Sequence, residues 1–402
     1  MIAQAPRVQQ RTSPSTPRAP AIRKLGNVPG LTGLRGVAIA VVVAGHAMLI
    51  ANVTGLPGFF IGVDLFFALS GFLITSLLVN EWARTGSISL ARFYARRALR
   101  LLPALGLFLA SALVLLPWYQ PAGAREGVAR AIVATALYVQ NFAWVYGKTH
   151  DLTHLWSLAE EEQFYLVWPV VLVLLIRIRL GHRAILGVLA TALTLDVAGC
   201  AFLYHAGGPH GAPFFLRFTP VRSEALIAGC ILGVLYSSSL LPSPNRLGRA
   251  LPFAGILAFA LFSWILPEVG ERDPRLYEGG WLVVALVCAA CVYTCLADPL
   301  PWPFRALTLR PVTYLGQISY ALYIWHWPLL TMWPGTLLPV GLRVAAAVGC
   351  AILSFHLVEK PFLRLKARFA PVPDQREVVI GPLLPEEGLA GSRSDRGDAS
   401  GR

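Results

Sequence analysis

The chain has 402 residues, of which 56% are hydrophobic and only 14% charged, and its mean hydropathy is +0.61. This composition excludes a water-soluble globular enzyme, and the 11% of aromatic residues excludes a disordered polymer. A helical membrane protein that crosses the bilayer many times remains. The formal net charge of +13 indicates membrane topology before it indicates a nucleic-acid partner, because Lys and Arg mark the cytoplasmic loops of such proteins. We therefore predict no nucleic-acid partner.

Two polar tails enclose the predicted membrane domain. Residues 1–30 carry basic residues and prolines without a long apolar run, which predicts a disordered basic tail, and the polar composition of 371–402 predicts a second one. Residues 31–370 form the predicted transmembrane domain, with about ten helices of roughly 20 residues, the length that a ~30 Å hydrocarbon core requires. These helices are expected near 33–52, 59–79, 101–118, 158–176, 184–204, 218–237, 250–267, 279–297, 314–333 and 340–358.

An eleventh apolar stretch, 128–146, is ambiguous from hydropathy alone. If it does not span, one side of the membrane carries about three times as many Lys and Arg residues as the other. A span there would move every later loop to the opposite side and remove this bias. The positive-inside rule therefore predicts an all-α, multi-pass protein of the cell membrane with ten spans, both termini cytoplasmic, and a re-entrant or interfacial segment at 128–146.

The cysteines and the common catalytic motifs offer no metal or nucleotide chemistry. Cys288, Cys291 and Cys295 share one face of a predicted helix with no histidine nearby in sequence, which favours packing as small apolar residues over a metal or redox site. No P-loop, Rossmann fingerprint, H-E-x-x-H or G-x-S-x-G motif occurs. We predict neither a metal nor a bound cofactor.

Placing an ionisable side chain inside a membrane span costs free energy. The ionisable residues of the predicted spans are therefore the first functional candidates. The first helix, LTGLRGVAIAVVVAGHA, carries Arg35 and His46 three turns apart, on one face and about 16 Å from each other along the axis. Two interpretations stay open at this point. Arg35 is either a positive-inside anchor beside a hydrogen-bonded core histidine, or the two residues belong to one functional site.

The second predicted helix and the loop after it add further candidates. Asp64 is expected at the outer interface or hydrogen-bonded to a neighbouring helix, and Ser70 with Gly71 suits close helix packing as well as a site. Arg97 and Arg100 are expected on one face of a short helix at the cytoplasmic surface. Plain anchoring and a site for the phosphates of a cytoplasmic ligand both explain them.

The densest group of polar residues is HDLTHLWSLAEEEQFYLVWP, residues 150–169. Ser157 and Glu160 have the spacing of a capping box. Glu161 and Tyr165 are one turn apart and can face the bundle interior, where a carboxylate orients or charges a histidine. A metal site here lacks the cysteine or third histidine that would complete a usual ligand set.

Seven segments together resemble a known family. These segments are LTGLRGVAIAVVVAGHA, GVDLFFALSGFLIT, RFYARRALRLLPAL, HLWSLAEEEQFYLVWP, RSEALIAGCILG, GQISYALYIWHWPLL and VEKPFLRL. In content and order they resemble the motifs of the acyltransferase 3 family, bacterial integral-membrane O-acyltransferases of surface polysaccharides, glycolipids and some macrolide antibiotics. The resemblance runs over residues 31–368 and implies a transmembrane helical bundle with this activity.

The resemblance also implies roles for individual residues. The family's Arg-x10-His pair falls on Arg35 and His46, and its Arg-x-x-Arg pair on Arg97 and Arg100. Its Ser-Gly-Phe, Trp-Ser-Leu and Glu-Glu-Gln motifs fall on further positions. These are Ser70, Gly71, Phe72, Trp156, Ser157, Leu158, Glu161, Glu162 and Gln163. Two positions depart from the pattern: Glu160 stands where an apolar residue is usual, and Glu224 where an Asp commonly follows the arginine that matches Arg222.

Physical reasoning and resemblance together suggest a mechanism. Acyl-CoA is expected as the donor, with its phosphates against Arg35, Arg97 and Arg100, and His46 is expected as the general base that activates an acceptor hydroxyl. Glu161 or Glu162 would stabilise the imidazolium, and Ser70, Ser157 or Tyr165 would donate to the oxyanion. The remaining predicted substrate-binding residues are Asp64, His154, Trp156, Arg222 and His326. Direct transfer and a covalent acyl-enzyme both remain open.

The predicted partners are acyl-CoA, which donates an acetyl or other short acyl group, a hydroxyl-bearing glycan, glycolipid or macrolide as acceptor, and membrane lipid. The alternative function is a proton-coupled secondary transporter or flippase, since intramembrane His, Asp and Glu residues also serve transport. That alternative predicts paired broken helices in the two halves of the chain, and the sequence shows no such repeat.

Overall fold

The structure, a computed structural model, describes residues 28–119, 125–145, 152–215, 222–248, 250–331 and 338–365. These residues are helical almost throughout and contain no strand, which confirms the predicted all-α membrane bundle. The predicted tails lie outside the described residues, except that residues 29 and 30 already belong to the first helix.

Fourteen α-helices occur in the described ranges. They are α1 (Pro29–Ile50), α2 (Gly62–Thr85), α3 (Leu90–Tyr119), α4 (Arg125–Ala136), α5 (Gln140–Val145), α6 (Trp156–Arg177), α7 (His182–Phe215), α8 (Glu224–Ser237), α9 (Ala250–Glu268), α10 (Trp281–Thr294), α11 (Arg310–Gln317), α12 (Ser319–Thr331), α13 (Val340–Ser354) and α14 (Lys360–Leu365).

Seven helical stretches of the described chain are long and apolar enough to cross a membrane. They are Pro29–Ile50, Phe59–Thr85, Leu90–Leu115, His182–Ala206, Ala250–Glu268, Leu276–Thr294 and Val340–Leu365. Three other predicted spans correspond to α6, which contains three consecutive glutamates in its second turn, to α8 of 14 residues, and to α12 of 13 residues. The number of ten spans stays a prediction.

The arginine-rich segment differs from its prediction. Arg97 and Arg100 were expected on one face of a short helix at the cytoplasmic surface, but both belong to α3, which is 30 residues long. The sequence ARFYARRALRLL is dominated by strong helix formers, so nothing ends the helix before it enters the apolar segment. The two arginines are therefore rigidly attached to a long membrane helix.

The ambiguous stretch 128–146 does not form a continuous helix. It is divided between α4, of 12 residues, and α5, of 6 residues, with a break at residues 137–139 where Tyr138 has a φ of 55°. A helix of 12 residues is about 18 Å long, which is too short for a ~30 Å core. Neither helix alone crosses the core, and the re-entrant or interfacial placement of the stretch stays a prediction.

Small residues allow two pairs of helices to approach closely. A Cβ atom on Gly71 of α2 would lie 2.1 Å from the carbonyl oxygen of Leu226 on α8. A Cβ atom on Gly316 of α11 would lie 1.8 Å from the carbonyl oxygen of Thr32 on α1. Inside a bilayer the hydrophobic effect does not drive helices together, because lipid tails are as apolar as the side chains. Close backbone contact at small residues then stabilises helix association. Ser70 adjoins Gly71, and Arg35 lies one turn after Thr32. The two close contacts therefore help to position these two side chains, which belong to the candidate site described below.

The three cysteines at the end of α10 lie in the apolar interior of the bundle. Cys288, Cys291 and Cys295 of α10 and the turn after it are buried within the largest apolar cluster, which also includes residues of α1, α2 and α9. This is the packing role that their shared helical face favoured.

Candidate active site

The first of two neighbouring cavities is cationic. It has a volume of about 300 Å³ and lies between α1, α2, α3, α6 and α12. We call it the arginine cavity, because four arginines line it: Arg35, Arg96, Arg97 and Arg100. Its remaining walls are mostly apolar, and its polar lining includes Ser70, Ser157, Glu161, Tyr165 and Ser319.

Carboxylates neutralise only part of this positive charge. Arg97 forms an ion pair with Glu162 at 2.5 Å and stacks over the ring of Tyr165, 3.1 Å from its centroid. Arg35 donates to the Ser319 hydroxyl at 3.0 Å. No carboxylate of the described residues forms an ion pair with Arg35 or Arg100. The cavity therefore keeps a positive surplus that suits an anionic ligand.

Glu161 lies in the wall of the arginine cavity and accepts two hydrogen bonds. The Ser70 hydroxyl donates to its Oε1 atom from α2, and the Tyr165 hydroxyl donates to the same atom from the next turn of α6. The structure thus joins Ser70, Glu161 and Tyr165 into one group, as their predicted shared site requires. The hydrogen bonds of Glu161 and Glu162 go to Ser70, Tyr165 and Arg97, and neither carboxylate contacts His46.

The second cavity lies at the opposite end of α1 and contains two histidines. It has a volume of about 210 Å³, and we call it the histidine cavity, after His46 and His154 in its lining. Aromatic rings surround His46: its ring centroid is 4.6 Å from that of Phe59 and 4.8 Å from that of Trp327. Trp156 and Glu271 also line the cavity. This mixture of aromatic and polar groups is typical of a site for a small polar molecule.

Three histidines that are distant in sequence meet beside this cavity. His326 of α12 is fully buried, and its Nε2 atom lies 3.3 Å from Nδ1 of His46. The rings of His154 and His326 are 5.3 Å apart between centroids. The sequence singled out each histidine separately, and the structure brings them together.

The hydrogen bonds of this group fix the tautomers of two histidines. A backbone carbonyl only accepts, so Nδ1 of His326, 2.7 Å from the carbonyl oxygen of Tyr323, carries a proton and Nε2 is left to accept. Nδ1 of His46 lies 3.0 Å from the carbonyl oxygen of Val42 and 3.3 Å from Nε2 of His326. Because both of these atoms accept, Nδ1 of His46 carries a proton and donates to both. In neutral His46 the lone pair is therefore on Nε2, the state that a general base requires.

The two cavities meet at Tyr323 and Val63, which line both. The Tyr323 hydroxyl donates to the carbonyl oxygen of His154 and lies 2.6 Å from the Ser157 hydroxyl. Because the tyrosine proton is used on that carbonyl, the Ser157 hydroxyl donates to the tyrosine oxygen. Trp156 and Ser157 are adjacent in sequence but line different cavities. Tyr323 therefore contributes to the walls of both cavities.

Sequence reasoning missed Tyr323, Trp327, Phe59 and Glu271. Tyr323 was detectable in principle, because it lies one turn before His326 in SYALYIWHWP and is thus on the same helical face. Glu271 was not, because it belongs to the loop between α9 and α10, whose position depends on tertiary packing.

Two predicted substrate-binding residues belong instead to a buried ion-pair network outside both cavities. Arg222 donates to both carboxylate oxygens of Asp64, at 2.7 and 2.8 Å, and to Glu224 at 3.3 Å. Its guanidinium group stacks on Trp281, 3.5 Å from the ring centroid. Asp64 is thus hydrogen-bonded to a neighbouring segment, one of its two expected placements. The network links α2, α8 and α10.

The predicted capping box of Ser157 and Glu160 is wrong. Helix α6 begins at Trp156, its N-cap residue is Leu155, and no side-chain cap hydrogen bond is present. The Ser157 hydroxyl bonds to Tyr323 instead, so the tertiary partner replaces the local one. Glu160 is fully buried, and neither of its carboxylate oxygens has a hydrogen-bond partner among the described residues.

Comparison with known proteins identifies the family of this chain. The chain is 30% identical over 352 residues to the peptidoglycan O-acetyltransferase OatA of Listeria monocytogenes, covering 83% of this chain and 55% of the relative. It is 31% identical over 314 residues to the O-acetyltransferase OatA of Staphylococcus aureus, covering 75% and 50%. The chain spans about half the length of these relatives. No solved structure matches this chain significantly. The profile of the family described as an acyltransferase domain matches residues 28–358, and the chain therefore belongs to the acyltransferase 3 family.

Proposed function

We propose that this chain is a membrane O-acyltransferase that moves a short acyl group from acyl-CoA to a hydroxyl of a sugar-containing acceptor. The observation that carries the proposal is the meeting of a cationic cavity and a histidine-bearing aromatic cavity at one tyrosine, Tyr323. Two substrates with different chemistry can then approach one reacting centre from opposite ends of the bundle.

The donor would occupy the arginine cavity. Arg35 and Arg100 have no carboxylate partner in the described part of the chain, so they are available to the phosphates of coenzyme A, which arginine binds through charge-assisted hydrogen bonds. The apolar walls of the cavity, which include Phe66 and Leu73, suit the pantetheine arm and the acyl group. This assignment makes the arginine end cytoplasmic, in agreement with the positive-inside prediction that both termini are cytoplasmic.

The acceptor would occupy the histidine cavity. The names of the relatives specify O-acetylation and, in Listeria monocytogenes, peptidoglycan, which favours an acetyl donor and a glycan acceptor. Aromatic rings such as Trp327 and Phe59 offer apolar faces for a sugar ring, and Glu271 supplies a carboxylate to its hydroxyls. Glycolipids and macrolides carry the same kind of sugar hydroxyl and remain in the proposed acceptor class.

His46 would act as the general base. Its Nε2 atom removes the proton of the acceptor hydroxyl, whose oxygen attacks the thioester carbonyl carbon to form a tetrahedral intermediate. The carbon–sulfur bond then breaks, and the departing thiolate takes the proton from the His46 imidazolium. Tyr323 and Ser157 lie at the junction where the oxyanion would develop, and one hydroxyl would turn to donate to it.

The remaining polar residues would position this chemistry. His326 holds the Nδ1 proton of His46, and the group of Ser70, Glu161 and Tyr165 holds one wall of the donor cavity. Because Glu161 bonds to these hydroxyls, we assign it to the architecture of the donor cavity and not to direct support of the imidazolium.

The proposal is tested with the purified full chain in liposomes. Acetyl-CoA is supplied on one side and a peptidoglycan-type oligosaccharide on the other, and both free thiol and the acetylated sugar are measured. Thiol release that depends on the acceptor, with equal amounts of acetylated product, supports the proposal. Uptake or export of the sugar with acetyl-CoA intact would instead favour the transporter alternative and refute acyl transfer.

Mass spectrometry of a deletion strain identifies the natural acceptor. Glycans, glycolipids and secreted metabolites are compared with those of the parent strain, and the lost mass increment names both the acyl group and the acceptor. A strain complemented with the His46→Gln variant serves as the matched control, because glutamine keeps size and hydrogen bonding but does not accept a proton at neutral pH.

A further inference from the structure

A third cavity lies on the flank of the bundle, away from the candidate active site. It has a volume of about 400 Å³ and is enclosed by α2, α6, α7, α8 and the turn between α6 and α7. We call it the lateral cavity. It shares no lining residue with the arginine or the histidine cavity, and the proposed acyl transfer does not use it.

One edge of the lateral cavity is basic and unneutralised. Arg177 ends α6, Arg179 lies in the following turn, and His182 begins α7. No acidic residue of the described chain forms an ion pair with any of the three. Two guanidinium groups and an imidazole thus lie at one opening without a carboxylate partner among the described residues. Such a group of positive charges favours the binding of an anion.

Two residues of the cavity wall also carry buried polar atoms that lack a partner among the described residues. Nδ1 of His182 and the hydroxyl oxygen of Ser238 are inaccessible to solvent and form no hydrogen bond with the described residues. Leaving such atoms unpaired is unfavourable. In addition, the first backbone N–H groups of α7, which starts at His182, have no partner within the helix and favour a negative charge at this end.

The rest of the wall is apolar and continues onto the outer surface of the bundle. Val79 and Val234 are buried in the wall, and Trp82 lies beside them. Outside the opening, Ile178 is 67% exposed and Leu174 is 52% exposed, as expected of side chains that face lipid tails. A ligand here therefore meets a cationic edge at one end and a hydrocarbon-like surface at the other.

We propose that the lateral cavity is a binding site for an anionic phospholipid. Its phosphate diester would lie between Arg177, Arg179 and His182, with a headgroup hydroxyl near Ser238 and one acyl chain along the wall formed by Val79, Trp82 and Val234. Basic pockets between membrane helices bind acidic headgroups in this manner, and Trp82 has the interfacial character of a membrane-boundary residue. Inorganic phosphate would use the cationic edge but not the apolar wall, so the lipid is the occupant that the whole cavity fits.

The experiment titrates the detergent-purified full chain with phosphatidylglycerol and follows its midpoint of thermal unfolding. Phosphatidylcholine and inorganic phosphate are titrated in parallel. The test variant is Arg177→Gln with Arg179→Gln. It removes both positive charges at exposed positions that form no ion pair with the described residues, so the fold should be retained. The matched control is Arg246→Gln with Arg310→Gln, two exposed arginines that line none of the three cavities.

We expect phosphatidylglycerol to raise the midpoint in a saturable manner, and phosphatidylcholine and phosphate to leave it nearly unchanged. Loss of both arginines should weaken the apparent affinity by about 30-fold, while the control variant stays within about 2-fold of the unmodified chain. Equal affinity in the test and control variants would overturn the proposal, and an equal response to inorganic phosphate would replace the lipid by a free anion. A second variant, Val234→Trp, fills the apolar half and should abolish the lipid response while acyl transfer persists.

Discussion

His326 allows the sharpest test of the proposed base, because the structure gives it a role different from that of His46. Its Nε2 atom accepts from Nδ1 of His46 at 3.3 Å, and its own Nδ1 proton is held by the carbonyl oxygen of Tyr323. Replacing His326 by Leu removes that acceptor from Nδ1 of His46, while the carbonyl oxygen of Val42 at 3.0 Å stays in place. Replacing it by Gln keeps an amide oxygen near the former Nε2 position.

The magnitude follows from the bond that is lost. A hydrogen bond of this kind contributes a net of about 0.5–1.5 kcal/mol, so His326→Leu should lower kcat about 2- to 13-fold, whereas His326→Gln should stay within about 3-fold of the unmodified chain. Loss of the base itself is far more damaging: His46→Gln should lower the rate by about 10²–10⁴-fold. The predicted order of activity is therefore the unmodified chain, His326→Gln, His326→Leu and last His46→Gln.

The assay measures single-turnover acetyl transfer at saturating donor and acceptor, with protein amount and thermal unfolding recorded for each variant. His356, whose Nε2 atom lies 3.1 Å from the Tyr314 hydroxyl on an exposed part of the bundle, provides the control variant His356→Leu. If His326→Leu is as inactive as His46→Gln while both proteins remain folded, His326 is itself the base and the tautomer argument is wrong. Full activity of His326→Leu would equally remove its positioning role.

Three further predictions concern structure, donor binding and topology. Arg222→Met should lower the free energy of unfolding by about 3–5 kcal/mol, because it leaves Asp64 buried without its partner; thermal unfolding should show no such loss for the exposed Arg246→Met, and an equal loss would contradict the structural role. Arg97→Ala with Arg100→Ala should raise the KM for acetyl-CoA more than the KM for the acceptor, and an unchanged donor KM would make these arginines plain membrane anchors. Reporter fusions test the topology, and opposite locations at residues 90 and 180 would show that 128–146 spans. Cytoplasmic signals are expected after residues 90, 180 and 370, and extracytoplasmic signals after 55 and 210.

The buried network around Arg222 gives two predicted substrate-binding residues a structural role, while their predicted role in binding stays untested. Asp64 and Arg222 match functional expectations in sequence, yet both are about 1% exposed and neither lines a cavity described above. Truncating either one would reduce activity through misfolding, since it leaves an uncompensated buried charge. A measurement of protein stability is therefore needed before loss of activity in such variants is assigned to substrate binding.

Much of the protein was determined by features that are local in sequence. Mean hydropathy and the spacing of apolar residues established a helical membrane bundle, because a spanning helix satisfies its own backbone hydrogen bonds within one segment. The three-turn spacing of Arg35 and His46 placed them on one face of α1, and the basic residues at the start of α3 made a phosphate site one of two interpretations. Hydropathy left 128–146 ambiguous, and only its effect on the charges of the later loops favoured a segment that does not span.

Tertiary structure alone decided which polar groups meet. His46 bonds to His326, 280 residues away, and Asp64 bonds to Arg222, 158 residues away; no local pattern contains these pairings. The same holds for Ser157, which bonds to Tyr323 of α12 and not to the nearby Glu160. A buried polar side chain takes whatever partner helix packing brings within about 3 Å, and that packing depends on contacts between residues such as Gly71 and Leu226. The division into two cavities that meet at Tyr323 is a result of this packing.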